Sequence, residues 1–429
     1  MLHSSYSFAL AFDAELVSRL LSRLPVEPPA VILDPFCGTG TTLLESKIAG
    51  FRSIGVDANP VCVMVSRAKT DWGLHADDLE RALRHIVTTA SRKYAACLER
   101  AEFAQRHGQR YSVLLDPLFT SSSIGRYLET SGLMRRGWIC PRPALKTLLV
   151  AEEIRKLPIR QRNFLFLSLL GLLVPELSNM AYGPEIYKKR NRRDRNVVRL
   201  FEIRARENLR RLVALKAGYA NPTSTVRLGS SINGGLSFIL SDSIDAVISS
   251  PPYLSDHDYS RLMRLELVFT GAVSSRDDLR AVKRTFLRSS SKNVYKDDCW
   301  TQHVAHLKSV QDAISAVSDR AANKSSGFAR VYPRLIGEYF GGMYEHFKAL
   351  GRVLRPGGYA AYVVGDQSSF FAVPIPTARI LANIAEQCEG GLEMASMEPI
   401  RQLRGTRGNV RWSNSEWLII LRKRLRKGP

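Results

Sequence analysis

The chain has 429 residues, with 62 Lys and Arg against 40 Asp and Glu, so its formal charge is +22. At about 100–200 residues per domain this length allows two to four domains, or one domain with large insertions. A hydrophobic content of 45% excludes a disordered chain, and modest Gly and Pro with no short period exclude collagen, coiled-coil and low-complexity classes.

The charge says nothing about fold, but it predicts attraction to polyanions, and its clustering favours a nucleic-acid partner. Met1-Leu2-His3-Ser4-Ser5 shows no basic region followed by an apolar core, so no secretory signal is expected. The longest apolar stretch, Phe164–Val174, is closed by Pro175 and Glu176. A membrane span needs about 20 apolar residues, so this stretch predicts a buried core helix. Six cysteines are scattered, no two of them separated by only two residues. That argues against a zinc site and a disulfide framework, and for a reduced, cytoplasmic chain without a metal.

In chain order, Ala30–Asp34 is a short apolar run ending at an acid, followed by the turn Pro35-Phe36-Cys37-Gly38-Thr39-Gly40. Thr41–Ala49 has helical spacing and closes at Gly50; a second apolar run then ends at Asp57. Strand, glycine turn, helix, strand and acid make one βαβ unit of the nucleotide-binding kind. From about Trp72 to Ala220 the pattern is helical, over Asp78–Arg100, Leu145–Lys156, Asn163–Val174 and Val197–Leu215, with prolines as breaks. Strands are expected again at Thr225–Leu228, Asp245–Ser250, Tyr359–Val364 and Glu416–Leu421. The Ser-, Lys- and Arg-rich stretch 274–326 reads as a second, more mobile insertion.

Two constellations carry chemistry. In Asp34-Pro35-Phe36-Cys37-Gly38-Thr39-Gly40-Thr41 the glycines permit both the turn and a close approach of backbone to ligand. The third glycine of a dinucleotide fingerprint and the Gly-Lys-Ser/Thr of a P-loop are both missing. Asp57 ends the next strand, where a carboxylate accepts ribose hydroxyls. A nucleoside cofactor without a pyrophosphate fits better than NAD or ATP. The second constellation, Ser250-Pro251-Pro252-Tyr253, follows a buried strand. Its prolines stiffen the turn and leave carbonyl acceptors outward, Ser250 adds an oxygen, and Tyr253 offers a stacking face. Such a loop suits an exocyclic amino group on a planar base.

Together these residues resemble the S-adenosylmethionine-dependent amino-methyltransferases of DNA, which methylate cytosine N4 or adenine N6. Asp34–Thr42 is similar to the family's cofactor loop, and Ser250-Pro251-Pro252-Tyr253 to its catalytic motif. Phe8–Leu16, with Phe8 and Phe12, resembles the segment that packs on the methionine moiety, and Leu354–Tyr359 the turn before the fifth strand. The likeness covers roughly residues 3–72 and 225–425 in separated blocks. It implies an α/β, Rossmann-like class I methyltransferase fold, a mostly parallel sheet flanked by helices and carrying a large helical insertion.

The resemblance implies Asp34, Pro35, Phe36, Gly38, Gly40, Asp57 and Phe12 as cofactor residues, with Ser250, Pro251, Pro252 and Tyr253 catalytic. Ser250 in place of Asp points to cytosine N4, with adenine N6 as the alternative. The acid that often follows the third strand is replaced by Gly229-Ser230-Ser231, so a serine, a backbone group or Asp242 is left to meet the cofactor adenine. The expected division is 1–72 for the cofactor part, 73–220 for a helical insertion that reads the target, and 221–273 for the catalytic part. A polar insertion over 274–326 and a C-terminal part over 327–429 complete it.

Lys188, Lys189, Arg190, Arg192, Arg193 and Arg195, six basic residues in eight, predict contacts to the phosphates of double-stranded DNA. Arg401, Arg404, Arg407 and Arg411 near Trp412 form a second cluster, and the tail Arg422–Lys427 reads as a frayed, solvated end. Glu266 reads as an ion-pair residue on a helix, Asp256-His257-Asp258 as local hydrogen-bonding residues, and Gly365-Asp366-Gln367-Ser368 as an active-site wall. Cys37 and Cys140 read as packing residues. A restriction-modification setting, with a cognate endonuclease, follows from the resemblance. The rivals are an RNA enzyme of the tRNA guanine-N2 type, for which Asp34 leaves no preceding RNA-binding domain, and a non-catalytic nucleic-acid-binding protein.

Overall fold

The computed structural model describes residues 2–6, 12–108, 116–183, 185–232, 234–322, 324, 327, 329–368, 370–407 and 410–425, with backbone alone over 403–407 and 410–414. Phe8 and the side chains of Arg404, Arg407, Arg411 and Trp412 thus lie outside the described residues. The chain forms two compact units. One comprises Phe12–Asn59, Pro222–Asp258 and Lys283–Pro429; the other comprises Met1–Ala11, Pro60–Asn221 and Tyr259–Val282.

The first unit is built on seven strands: β1 (Val31–Asp34), β2 (Arg52–Asp57), β3 (Ser224–Leu228), β4 (Ile244–Ser249), β5 (Leu354–Gly365), β6 (Leu392–Arg407) and β7 (Val410–Lys423). Their order is β3-β2-β1-β4-β5-β7-β6, parallel from β3 to β5, with β7 antiparallel to both its neighbours. This is the mostly parallel sheet of a Rossmann-like class I methyltransferase fold. β1 to β5 therefore all end at one carboxyl edge, where open α/β sheets bind ligands.

Side chains alternate across a strand, so each strand feeds two cores. Ile32, Ala246, Ile248, Ala361, Val363, Leu418 and Ile420 pack with Val17, Leu20 and Leu21 of the helix Ala14–Arg23. Leu33, Val247, Ala360, Tyr362, Val364, Ile419 and Leu421 pack with the helices Tyr332–Val353 and Thr377–Gln387. Each fully buried aliphatic or aromatic side chain contributes about 1.5–3 kcal/mol, so both sheet faces are committed to packing.

Two expectations need correction. The stretch after Lys283, read as mobile, contributes Leu287, Val304, Leu307, Val310 and Val317 to the second core. Its polar composition is that of a thin layer with one wet side. Arg422 and Lys423, read as frayed tail, are the last residues of β7. Lys423 Nζ donates to Asp242 Oδ1 at 2.6 Å and to the Leu354 carbonyl at 2.8 Å.

The second unit is helical, with Ala76–Arg106, Pro141–Arg155, Ile159–Leu172 and Val197–Gly218 as its long elements. Phe164–Val174 is buried throughout, as its composition predicts. Among the described residues Glu266 makes no ion pair. Tyr6 and Tyr182 donate to its Oε1 at 3.3 and 3.2 Å, and its Oε2 is buried without a partner. Burial pushes its carboxyl up to about 7. Among the described residues no helix is long and apolar enough to cross a membrane, and no group of three or more His, Cys, Asp or Glu is placed to hold a metal.

Candidate active site

The glycine loop hands β1 to the helix Thr41–Ile48. Gly38 has φ +50° and Gly40 φ +82°, left-handed values that a side chain would strain. Gly40 occupies the N-cap and, among the described residues, no side chain caps that helix, so its first N–H groups have no intrahelical partner. The loop is pinned by Cys37 N–H on the Val56 carbonyl at 3.0 Å and by Gly38 N–H on Asp57 Oδ2 at 2.8 Å. Asp57 Oδ1 accepts Asn59 N–H at 2.7 Å. Gly55, beside the loop, must be a glycine, since a Cβ there would stand 3.1 Å from Cys37 Cβ and 2.5 Å from Leu43 Cδ1.

Asp34 is buried beneath this loop. Ser249 Oγ donates to its Oδ1 at 2.7 Å and Phe36 N–H donates at 3.1 Å. Burial nevertheless pushes its carboxyl up to about 6. Ser249 directly precedes Ser250, so one hydrogen bond ties the end of β1 to the end of β4. Asp34 thus shapes both loops from below.

The Ser-Pro-Pro-Tyr loop is held from two sides. Tyr339 Oη donates to the Pro252 carbonyl at 3.0 Å. Tyr253 Oη donates to Glu416 Oε1 at 2.7 Å, and the Cδ2–Cε2 side of the Tyr253 ring occupies the place a Cβ on Gly365 would need. Seven residues after Tyr339, on the same face of the helix Tyr332–Val353, His346 meets the Phe36 ring edge-on with centroids 4.9 Å apart. Burial drives His346 down to about 3, so it is a neutral ring, bonded through Nε2 to Tyr362 Oη at 2.6 Å. A single helix therefore supports the cofactor-type loop and the catalytic-type loop, two turns apart.

Downstream, Asp256 has φ +64° and ties the Ser-Pro-Pro-Tyr loop to Ser290 and Ser291. At the end of β3, Ser231 Oγ is buried without a hydrogen-bond partner. Asp242 lies before the start of β4, at the opposite edge of the sheet, in its ion pair with Lys423. Its place in the strand order removes it as the cofactor-adenine contact.

The DNA methylase family model (N6_N4_Mtase) matches residues 4–67. The Type II methyltransferase M.BsoBI of Geobacillus stearothermophilus is 22% identical over 324 residues, 69% of this chain and 57% of that protein. The Type II methyltransferase M.AvaI of Nostoc sp. strain PCC 7120 is 23% identical over 420 residues, 92% of this chain and 80% of that protein. Over residues 4–67 the chain is similar to DNA methylases, and along most of its length to Type II methyltransferases. Its match spans little more than half of M.BsoBI. A solved rRNA methyltransferase, AviRa of Streptomyces viridochromogenes, aligns over 98% of this chain and 93% of its own at 11% identity, with a TM-score of 0.31, too loose a superposition to bear on function.

Set against this likeness, the expected residues divide. Asp34, Pro35, Phe36, Gly38, Gly40, Asp57, Ser250, Pro251, Pro252 and Tyr253 all gather at the carboxyl edge of β1, β2 and β4. Phe12 is half-buried against the core formed by the helix Ala14–Arg23. The basic run belongs to the helical unit and is itself divided. Arg190 and Arg192 donate to the Pro175 carbonyl at 3.0 and 2.7 Å, and Arg195 donates to Glu176 Oε2 at 2.6 Å. Lys188, Lys189 and Arg193 are exposed. Tyr339, His346 and Glu416 were not foreseen, because each reaches the site from a distant strand or helix and carries no local motif.

Proposed function

We propose that this chain transfers a methyl group from S-adenosylmethionine to the exocyclic amino group of a base in double-stranded DNA, with cytosine N4 as the target and adenine N6 as the alternative. One observation carries the reading: the glycine loop after β1 and the Ser-Pro-Pro-Tyr loop after β4 share an edge and are joined through Ser249 and Asp34. The Type II naming of the relatives supports a restriction-modification setting, in which a partner endonuclease would cut the unmodified site.

The residues present fit the cofactor. The uncapped N-terminus after Gly40 suits its carboxylate. Asp57 would accept a ribose hydroxyl, and the unpartnered Ser231 Oγ suits the adenine edge. When bound, S-adenosylmethionine supplies a sulfonium methyl, whose carbon–sulfur pair returns to sulfur as the new bond to nitrogen forms.

The chain's own residues would prepare the nucleophile. An aromatic amino group reacts poorly because its lone pair is delocalised into the ring. Ser250 Oγ and the Pro251 carbonyl accept its hydrogens and localise that pair on nitrogen. Tyr339 holds the Pro252 carbonyl and thereby fixes the loop. Tyr253 stacks on the flipped base, and its π face meets the positive charge the base gains before nitrogen releases a proton to solvent. Exposed Lys188, Lys189 and Arg193 contact phosphate.

The test is digestion and mass spectrometry of DNA from cells expressing the chain, beside a Tyr253→Ala control. N4-methylcytosine present only with the parent chain is the expected result. N6-methyladenine keeps methyl transfer and discards the cytosine assignment, whereas unmodified DNA beside methylated RNA moves the substrate to RNA. Clean DNA and clean RNA leave a binding protein.

A further inference from the structure

We propose that Glu416 is a positioning residue for this reaction, acting through the hydroxyl of Tyr253. The inference rests on the reading of Tyr253 as the ring that stacks on the target base. Gly365, Glu416 and Arg401 are register partners across β5, β7 and β6, one residue from each strand. Cross-strand partners share a sheet face, so these three form a row beside the loop.

Each member of the row does something different. Gly365 has no side chain, and the Tyr253 ring fills the space: a Cβ there would lie 3.0 Å from the ring's Cε2 and 3.1 Å from its Cδ2. Glu416 receives the phenol hydrogen on Oε1 at 2.7 Å, while its Oε2 takes Arg401 Nε at 2.7 Å. The Glu416 side chain is 12% exposed and that of Arg401 62%, so a solvent-facing guanidinium supplies the counter-charge of a largely buried carboxylate.

Pro251 and Pro252 stiffen the backbone but leave the tyrosine's two side-chain torsions free. The Gly365 backbone against the Cδ2–Cε2 side of the ring and Glu416 on the hydroxyl remove that freedom, and the base stacks on a ring face. A charge-assisted hydrogen bond from a phenol also makes its ring more electron-rich, which strengthens its attraction for a base turning cationic.

The experiment measures methyl transfer to DNA by the full-length parent, Tyr253→Phe, Glu416→Ala, Glu416→Gln and the Tyr253→Phe, Glu416→Ala double variant. Thermal melts accompany each protein, and Glu416→Gln keeps the shape and an acceptor should Glu416→Ala fold poorly. Glu416→Ala and Tyr253→Phe should each lower kcat by about tenfold, the size expected for a lost charge-assisted hydrogen bond. KM for S-adenosylmethionine should stay within about twofold. The double variant should be no slower than the slower single one, and Glu416→Gln should recover most of the rate. Losses that multiply in the double variant, or full activity in Glu416→Ala, overturn the role of Glu416. A parent that methylates no DNA overturns the proposed function instead.

Discussion

Ser249 Oγ lies 2.7 Å from Asp34 Oδ1, and this bond joins the two strands that carry the two loops. Asp34 is 2% exposed and its carboxyl is raised by burial from 3.8 to about 6. A carboxyl raised by folding stabilises fully below its unfolded value, and that stability is lost as pH rises through the folded value. Asp34 is therefore tolerated above pH 6 because Ser249 and the Phe36 N–H compensate its charge.

Ser249→Ala should for that reason be costlier in base than in acid. Removing a donor from a buried acceptor costs about 1–3 kcal/mol, and the charged form needs the donor more. Melting the parent and the variant at pH 5 and pH 8 checks this: the gap between them should be wider at pH 8. An equal gap at both would show that Asp34 does not change its charge between them.

Glu266 makes the same argument with a neutral substitute. Its carboxyl rises from 4.5 to about 7 through burial, with Tyr6 and Tyr182 as its donors. The associated stability is present below pH 4.5 and gone above 7, a difference on the order of 3 kcal/mol from about 1.4 kcal/mol per unit. Glu266→Gln keeps the Oε1 acceptor and removes the charge. It should melt above the parent at pH 8.5 and level with it at pH 5; a melting point below the parent's at pH 8.5 would mean that Glu266 ionises without cost.

How far these features could be read in the sequence depends on how local they are. β1, β2 and β4 announce themselves because a short apolar run ends at an acid or in a stiff turn. The loops that follow carry glycines and prolines whose backbone demands are written in the residue type. β6 gives no such signal: it is an edge strand with one partner, broken by a register shift at Pro399 and Arg401, so its pattern is mixed. The supports of the site are less legible still. Glu416 is 163 residues from the tyrosine it holds. Tyr339 and His346 read as ordinary core residues until the helix lies under both loops.

Ser231 offers a test of the cofactor site that does not depend on DNA. Its hydroxyl is buried with no partner beyond the end of β3. Ser231→Ala should leave the melting temperature of the free protein unchanged or slightly higher, since an unsatisfied buried polar group is removed. It should weaken S-adenosylmethionine binding by about three- to tenfold, the size of one neutral hydrogen bond. Calorimetric titration with the cofactor reads both the affinity and the enthalpy. An unchanged affinity would assign the adenine edge to backbone groups.

The basic run should separate into two kinds of arginine and lysine. Lys188, Lys189 and Arg193 are exposed, so a triple alanine variant should leave stability unchanged. If all three meet phosphates, the slope of log affinity against log salt should fall by about 0.9 for each, close to 2.7 in all. Arg192 and Arg195 instead fasten this segment to the Pro175 and Glu176 carbonyls and to the Glu176 carboxylate. Their removal takes Arg195 from the Glu176 carbonyl and carboxylate and leaves the Pro175 carbonyl with Arg190 alone. Arg192→Ala with Arg195→Ala should therefore lower the melting temperature and change the salt slope by less than the triple variant does. Fluorescence anisotropy of labelled duplex across a salt series, beside melts of the free proteins, distinguishes the two sets. A salt slope that moves only with Arg192 and Arg195 would reverse the assignment and make the helix-end contacts the DNA-binding ones.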